Sequence, residues 1–318
     1  MCLGTIQDEH ARNDTQDAVT AGVVRPAAKT SLVSAAAMLL LAVMWGLSIP
    51  VTKLGLQSLP PLTLTTLRFA IAVPLLLFFV LGRQRMRWRA LPSIAGLGVL
   101  GIGIGQVAQT FGVADASASV ATIISATIPV FIVVFAALRL KQAVTGQQKI
   151  GLFAAFIGIV LVALGDGNGM DDLFRSSAIG AALVFLSAIA IAFYYVWSVE
   201  LTNLYGTATV AAWSTLFGFL ALVPWAGWEM SRVPFAVTSE GIAAAVYLGV
   251  VVTVAGLFLW LNILRVVPAR IAASVQFLQP VVGVAASALI FGDKLGTLVI
   301  AGVILVLAGV ALTTRSTG

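Results

Sequence analysis

Apolar residues in this chain gather into long unbroken stretches. From residue 32 onward the runs are 32–52, 61–82, 92–112, 117–138, 149–165, 177–199, 207–227, 240–261, 268–290 and 296–313, parted by short polar or Gly/Pro breaks. A helix that crosses a hydrocarbon core of roughly 30 Å needs about 20 mostly apolar residues. The pattern therefore predicts an all-α integral membrane protein with ten transmembrane helices. The fifth and tenth runs are short, and only Val113 to Ala116 separates the third from the fourth. Residues 1–30 have mixed charge and no apolar core, and read as a disordered cytoplasmic tail rather than a signal peptide.

The runs carry an internal echo. Shifting the chain by 151 residues lays 96–161 on 247–312 without a gap, so runs three to five meet runs eight to ten. Leu97, Gly98 and Val99 fall on Leu248, Gly249 and Val250. Gly105 falls on Gly256, Ala121 on Ala272, Pro129 and Val130 on Pro280 and Val281, and Gly151 and Gly158 on Gly302 and Gly309. Apolar composition alone accounts for the Leu and Val matches, but not for the Pro and Gly set as well. Units of five helices hold an odd number of crossings, so the second must enter the membrane from the opposite side. The expectation is two inverted five-helix repeats, 31–170 and 171–318, with the two alternative packings on which alternating access rests.

Composition agrees: 60% of residues are hydrophobic, 9% are charged and the mean hydropathy is +1.07, against roughly 25% charged in soluble domains. The pI near 9.9 does not point to nucleic acid, because the basic residues lie in short loops between runs rather than on one patch. With a cytoplasmic amino terminus, that face collects Arg12, Arg25, Lys29, Arg83, Arg85, Arg87, Arg89, Arg139, Lys141, Lys149, Arg265, Arg270 and Arg315. The other face receives Lys53, Arg175, Arg232 and Lys294. The positive-inside rule then places both termini in the cytoplasm of a multi-pass inner (plasma) membrane protein. Cys2 and His10 are the sole cysteine and histidine, both in the tail, so neither a disulfide framework nor a Cys/His metal site can form, and no cofactor is expected.

Several stretches taken in order resemble the EamA-type members of the drug/metabolite transporter superfamily. They are Trp45, Gly46 and Lys53; Pro60 and Pro61 with Leu67, Arg68 and Phe69; Ala118 to Pro129; and Gln279 and Pro280 leading to Phe291, Gly292, Asp293 and Lys294. The resemblance covers nearly everything after residue 31. It implies ten helices, a central cavity and substrates such as amino acids or other metabolites, often exported. Members of that family commonly carry a Gly-Glu pair after helices four and nine. Here the first position reads Lys141 and Gln142, and the second has Asp293 for Glu. A packing or gating role is expected for these positions.

Polar groups inside apolar runs mark either a cavity lining or interhelical glue, since each needs a partner or water. Gln106, Gln109 and Thr110 share a face of the third run, Thr122, Ser125 and Pro129 a face of the fourth, and Gln276, Gln279 and Pro280 a face of the ninth. Pro129 and Pro280 remove backbone donors and suit hinges. Arg68 stands about eight residues past Pro60, some 12 Å in at 1.5 Å per residue, deep enough to require snorkelling or a partner. If it or Lys53 faces the cavity, an anionic substrate fits. Trp45, Tyr194 and Trp260 sit far enough from the run ends to wall a cavity. Asp115, Asp166, Glu200, Glu240 and Asp293 lie at ends or loops, so no carboxylate relay crosses the midplane; facilitated transport, exchange, or coupling through a terminal carboxylate is expected.

The pattern G-x-G-x-x-G at Gly96, Gly98 and Gly101 follows no strand and reads as close helix contact rather than a dinucleotide site. A membrane-embedded lipid-modifying enzyme would need a nucleophile or metal with acid/base residues near one interface, and the basic loop Arg83 to Arg89 has no acidic partner. A receptor or assembly protein is a third reading without particular support. The partners implied are a small-molecule substrate and the lipid bilayer, with no nucleic acid; pairing into a homodimer stays open.

Overall fold

The computed structural model describes residues 32–80, 87–140, 145–165, 178–266, 278–293 and 296–314. Gln276, Lys141, Gln142, Arg270 and the amino-terminal tail fall outside them. The order is α1 (Leu32–Gly46), α2 (Ser48–Gly55), α3 (Pro61–Val80), a short 3-10 turn at Trp88–Ala90, α4 (Leu91–Leu97), the π-helical segment π1 (Gly98–Ile104), α5 (Gly105–Asp115), α6 (Ala118–Ser125) and α7 (Ile128–Leu140). There follow α8 (Gly146–Gly165), α9 (Ala178–Trp197), α10 (Val199–Tyr205), α11 (Thr207–Arg232), α12 (Ser239–Val246), π2 (Tyr247–Ala255), α13 (Gly256–Val266), α14 (Leu278–Phe291) and α15 (Thr297–Thr314).

Seven continuous rods among the described residues are long and apolar enough to cross a membrane: Leu32–Gly55, Pro61–Val80, Trp88–Asp115, Ala118–Arg139, Ala178–Trp197, Thr207–Arg232 and Ser239–Ile263. In hydrocarbon every backbone N–H and C=O must be satisfied within the segment, which forces these runs into helix whatever their propensity. Their outward faces carry large apolar side chains, such as Leu39, Phe78, Leu220 and Ile242, suited to a lipid surround. These seven answer to seven of the ten expected runs, and α14 and the apolar part of α15 are shorter apolar helices among the described residues; elsewhere the departures are at ends, where α11 continues to Arg232, five residues beyond its apolar run, and α10 is an added short helix after the sixth run.

Two rods are broken just ahead of a proline. The first is interrupted at Leu47, three residues before Pro50, and the fourth at Ala126 and Thr127, before Pro129. Proline offers no N–H to the carbonyl four residues back and disfavours helical geometry in its predecessor. The Gly46 carbonyl released by Pro50 lies against Gly283 of α14, where a Cβ would stand 2.8 Å from the oxygen.

Small residues let the rods approach. Gly98 meets the backbone of Ser214, Gly101 meets Tyr194, and a Cβ on Gly112 would stand 2.7 Å from the Gly180 carbonyl oxygen. The tightest pairing, α8 against α15, is reciprocal. A Cβ on Gly158 would stand 2.7 Å from the Gly302 oxygen and from the Val306 nitrogen. A Cβ on Gly309 would stand 2.5 Å from the Gly151 oxygen and from the Ala155 nitrogen.

At one end of the bundle three charged side chains close helix termini. Lys53 Nζ donates to the carbonyls of Val113 (2.8 Å), Ala114 (2.9 Å) and Ala116 (2.8 Å), where α5 finishes. The buried Glu229 carboxylate accepts from the N–H groups of Leu62 (3.2 Å) and Thr63 (2.7 Å) and from Thr63 Oγ1 (2.8 Å), where α3 starts. Gly292 adopts φ +68 after α14, a left-handed turn that glycine makes without strain. Asp293 then accepts from the Ser119 N–H (3.0 Å) in the first turn of α6. Cations at helix C-termini and anions at N-termini oppose the partial charges there.

Candidate functional site

The second rod is apolar apart from its threonines and Arg68, its eighth residue. At that depth a guanidinium needs partners across the bundle. Among the described residues it finds two, both neutral. Nε donates to Thr253 Oγ1 (3.0 Å) in π2, and Nη1 donates to Gln106 Oε1 (2.8 Å) in α5. Thr253 is presented by the π geometry itself, since its hydroxyl donates back to the Leu248 carbonyl five residues earlier (2.8 Å). One turn along, Thr65 Oγ1 lies 2.8 Å from Thr110 Oγ1, which donates to the Gln106 carbonyl (2.8 Å).

Beside this cluster the first rod leans on the same π segment. Trp45 Nε1 donates to the Val252 carbonyl (3.1 Å), one residue from Thr253, and Tyr247 donates to the Met44 carbonyl (3.1 Å). Trp45 stands 6.0 Å from Trp260, ring centre to ring centre, at 47°. Trp45, Arg68, Gln106, Thr253 and Trp260 are all half-buried, neither sealed in the core nor turned out to lipid. Among the described residues the one ion pair is Arg139–Glu200 (3.0 Å), on exposed side chains away from this cleft. No group of acidic, His or Cys residues among them could hold a metal.

The remaining predicted residues divide. Gln109 is half-buried on the same helix as Gln106. Tyr194 rests on Gly101 of π1 and donates to Ser214 Oγ (2.9 Å), which in turn donates to the Val210 carbonyl (2.6 Å). It is thereby tied to α11 rather than to Arg68. Thr122 is buried, donates to the Ala118 carbonyl (2.7 Å) and faces Gly283 of α14, so its place is a helix contact. Ser125 carries a buried hydroxyl without a hydrogen-bond partner among the described residues. The Gln279 backbone oxygen packs against Gly46, Pro280 is buried near the start of α14, and Pro129 stands just past the break in the fourth rod. Gln276 lies outside the described residues. Lys53 is directed onto helix carbonyls, as given above, and not into the cleft.

Sequence reasoning missed Thr253 and Glu229. Threonine in an apolar run carries little signal, and a spacing rule built on α-helix cannot see a π segment. Glu229 lies beyond residue 227, where the apolar run ends, and its burial follows from the longer α11.

A separate cavity of about 670 Å³ lies between the second, third, fifth and sixth rods, lined by Leu62, Val99, Ile104, Phe111, Leu183 and Trp225 among others. Its lining is apolar, and Ile104 and Trp225 are exposed at its edge. None of the predicted site residues lines it. The Arg68 cleft, with convergent polar groups, is the better candidate for recognition, and the lateral groove suits lipid chains.

The sequence model of the EamA-like transporter family matches residues 32–164 and again 178–315. The "Probable terminal-alkyne amino-acid exporter" of Streptantibioticus cattleyicolor is 30% identical over 292 residues, 88% of this chain and 93% of that one. The "Probable amino-acid metabolite efflux pump" of Escherichia coli is 27% identical over 85% of this chain and 91% of its own length. A solved crystal structure, 17% identical, superposes with a TM-score of 0.59 over 90% of this chain and 98% of that one, and so shares the fold.

Proposed function

The chain belongs to the EamA-like transporter family and is a membrane transporter rather than an enzyme, and we propose that it exports amino acids or related small metabolites by alternating access through the cleft around Arg68. The observation that carries this reading is a guanidinium held inside a membrane rod by neutral partners, Thr253 and Gln106. An intramembrane ionisable group of this kind is a functional site by default. The relatives named for amino-acid export supply the substrate class.

Alternating access needs two related halves, and three observations support ten helices in two inverted units, 31–170 and 171–318. The family model matches the chain twice. Both π segments end at equivalent positions, Ile104 and Ala255, under the same shift of 151 residues. The α8–α15 contact exchanges equivalents, Gly158 meeting Gly302 and Val306 while Gly309 meets Gly151 and Ala155, as an isologous contact about a two-fold axis requires.

On this reading both termini are cytoplasmic in the inner membrane, by the positive-inside rule. The end closed by Lys53, Glu229 and Asp293 then faces outward. Pro129 and Pro280 serve as hinges, with Trp45 and Trp260 as walls and Gln106 and Gln109 along the path, while Tyr194, Thr122 and Ser125 pack the helices around it.

Counterflow of radiolabelled amino acids in proteoliposomes tests the proposal. The expected result is saturable exchange, reduced at least tenfold in folded Arg68→Ala. Wild-type flux no greater than in protein-free liposomes, or an undiminished variant, would overturn it.

A further inference from the structure

We infer that the cleft is a receptor for monoanionic carboxylates whose remaining body is uncharged and apolar or aromatic, moved without an accompanying proton; the inference rests on the transport reading above and narrows its substrate. The argument is a charge inventory. Every Asp and Glu of the chain is accounted for: Asp8, Glu9, Asp14 and Asp17 in the tail; Asp115, Glu229, Glu240 and Asp293 at rod ends; Asp166, Asp171, Asp172 and Glu200 in connections. Glu229 and Asp293 are also committed to helix termini. Arg68 is the one cation that stands more than three residues inside both ends of a described rod.

Among the described residues, the interior of the rods thus holds one fixed positive charge and no fixed negative one. A zwitterionic amino acid would satisfy Arg68 with its carboxylate but leave its ammonium without a counter-charge from the described rods, and an uncompensated ion away from bulk water is disfavoured. A carboxylate whose amine is absent or acylated incurs no such cost, and a planar guanidinium is matched to it in shape. Trp45 and Trp260, joined to the same π segment as Arg68, offer the apolar wall for the rest of the molecule.

The mode of coupling follows from the same inventory. With no carboxylate at mid-path to carry a proton, each turnover moves one negative charge and nothing else. The interior-negative potential of a cell then drives the anion outward, raising the outside-to-inside ratio tenfold for about 60 mV. Export needs no further device.

The probe is N-acetyl-L-phenylalanine, compared with L-phenylalanine and N-acetyl-L-phenylalaninamide in counterflow and in efflux from preloaded proteoliposomes with a valinomycin-set potassium potential. The expected result is counterflow of the acid at least tenfold faster than of the zwitterion or the neutral amide. Efflux should be accelerated by an interior-negative potential and indifferent to an imposed pH gradient. Arg68→Lys should retain the preference for the acid more weakly, and Arg68→Gln should lose it, with thermal unfolding checking that both variants are folded. Equal or preferred transport of the zwitterion, or efflux driven by the pH gradient and not by voltage, overturns the inference and leaves the transporter reading intact. Counterflow of none of these, nor of any free amino acid, overturns both.

Discussion

Two regions of this protein handle charge in opposite ways. At the end of the bundle where α2 and α5 finish, Lys53, Glu229 and Asp293 each meet a helix terminus of opposite partial charge, and Lys53 and Glu229 are both bonded to three groups. Midway along the second rod, the hydrogen-bond partners of Arg68 among the described residues are a hydroxyl and an amide oxygen, both neutral. Charges of the first kind are complete in themselves and hold structure together. The second kind is solvated well enough to fold but not neutralised, which is the state expected of a group that receives a charged ligand. What distinguishes them is whether the protein itself supplies the counter-charge.

Four experiments sharpen or break that contrast. Arg68→Ala should have the largest effect, at least a tenfold fall in counterflow with little loss of thermal stability; a collapse of stability with flux per folded molecule unchanged would move Arg68 into the structural class. Glu229→Ala should do the reverse. It leaves two N-terminal N–H groups of α3 and a buried hydroxyl without their acceptor, and should cost about 2–3 kcal/mol in detergent unfolding, with unaltered selectivity among substrates. Gly158→Ala and Gly309→Ala should each cost about 1–3 kcal/mol by forcing a methyl against backbone. Similar losses in the two would support the reciprocal packing, and a large loss in one with none in the other would argue against a two-fold relation. Asp293→Ala should be mildest, about 1 kcal/mol, while speeding cysteine modification at the Lys53 end if that end is a gate.

Much of this was legible in the chain. Apolar runs located the rods because a bilayer leaves the backbone no alternative to helix. Arg68 stood out because a charge in such a run is expensive, and the glycines at 98, 101 and 105 marked close approaches that the packing contains, whereas a Cβ on Gly96 would meet nothing. What the runs hid was any change of helical period: nothing in Gly98–Ile104 or Tyr247–Ala255 distinguishes π from α geometry by composition. Thr253 therefore gave no sign of facing Arg68. Tertiary capping was equally hidden, since the partners of Lys53 lie some sixty residues away and those of Glu229 over 160 away.

The central claim is that one cleft around Arg68 is reached in turn from both faces of the membrane. The most direct test places a cysteine at its edge, Thr253→Cys in a Cys2→Ser background, made simple by the single native cysteine. A membrane-impermeant maleimide is then applied to oriented vesicles from either side. The account predicts modification from each side, with access from the outward side abolished when the Lys53 end is locked by a crosslink. Modification from neither side, or from one side alone under all conditions, would contradict it.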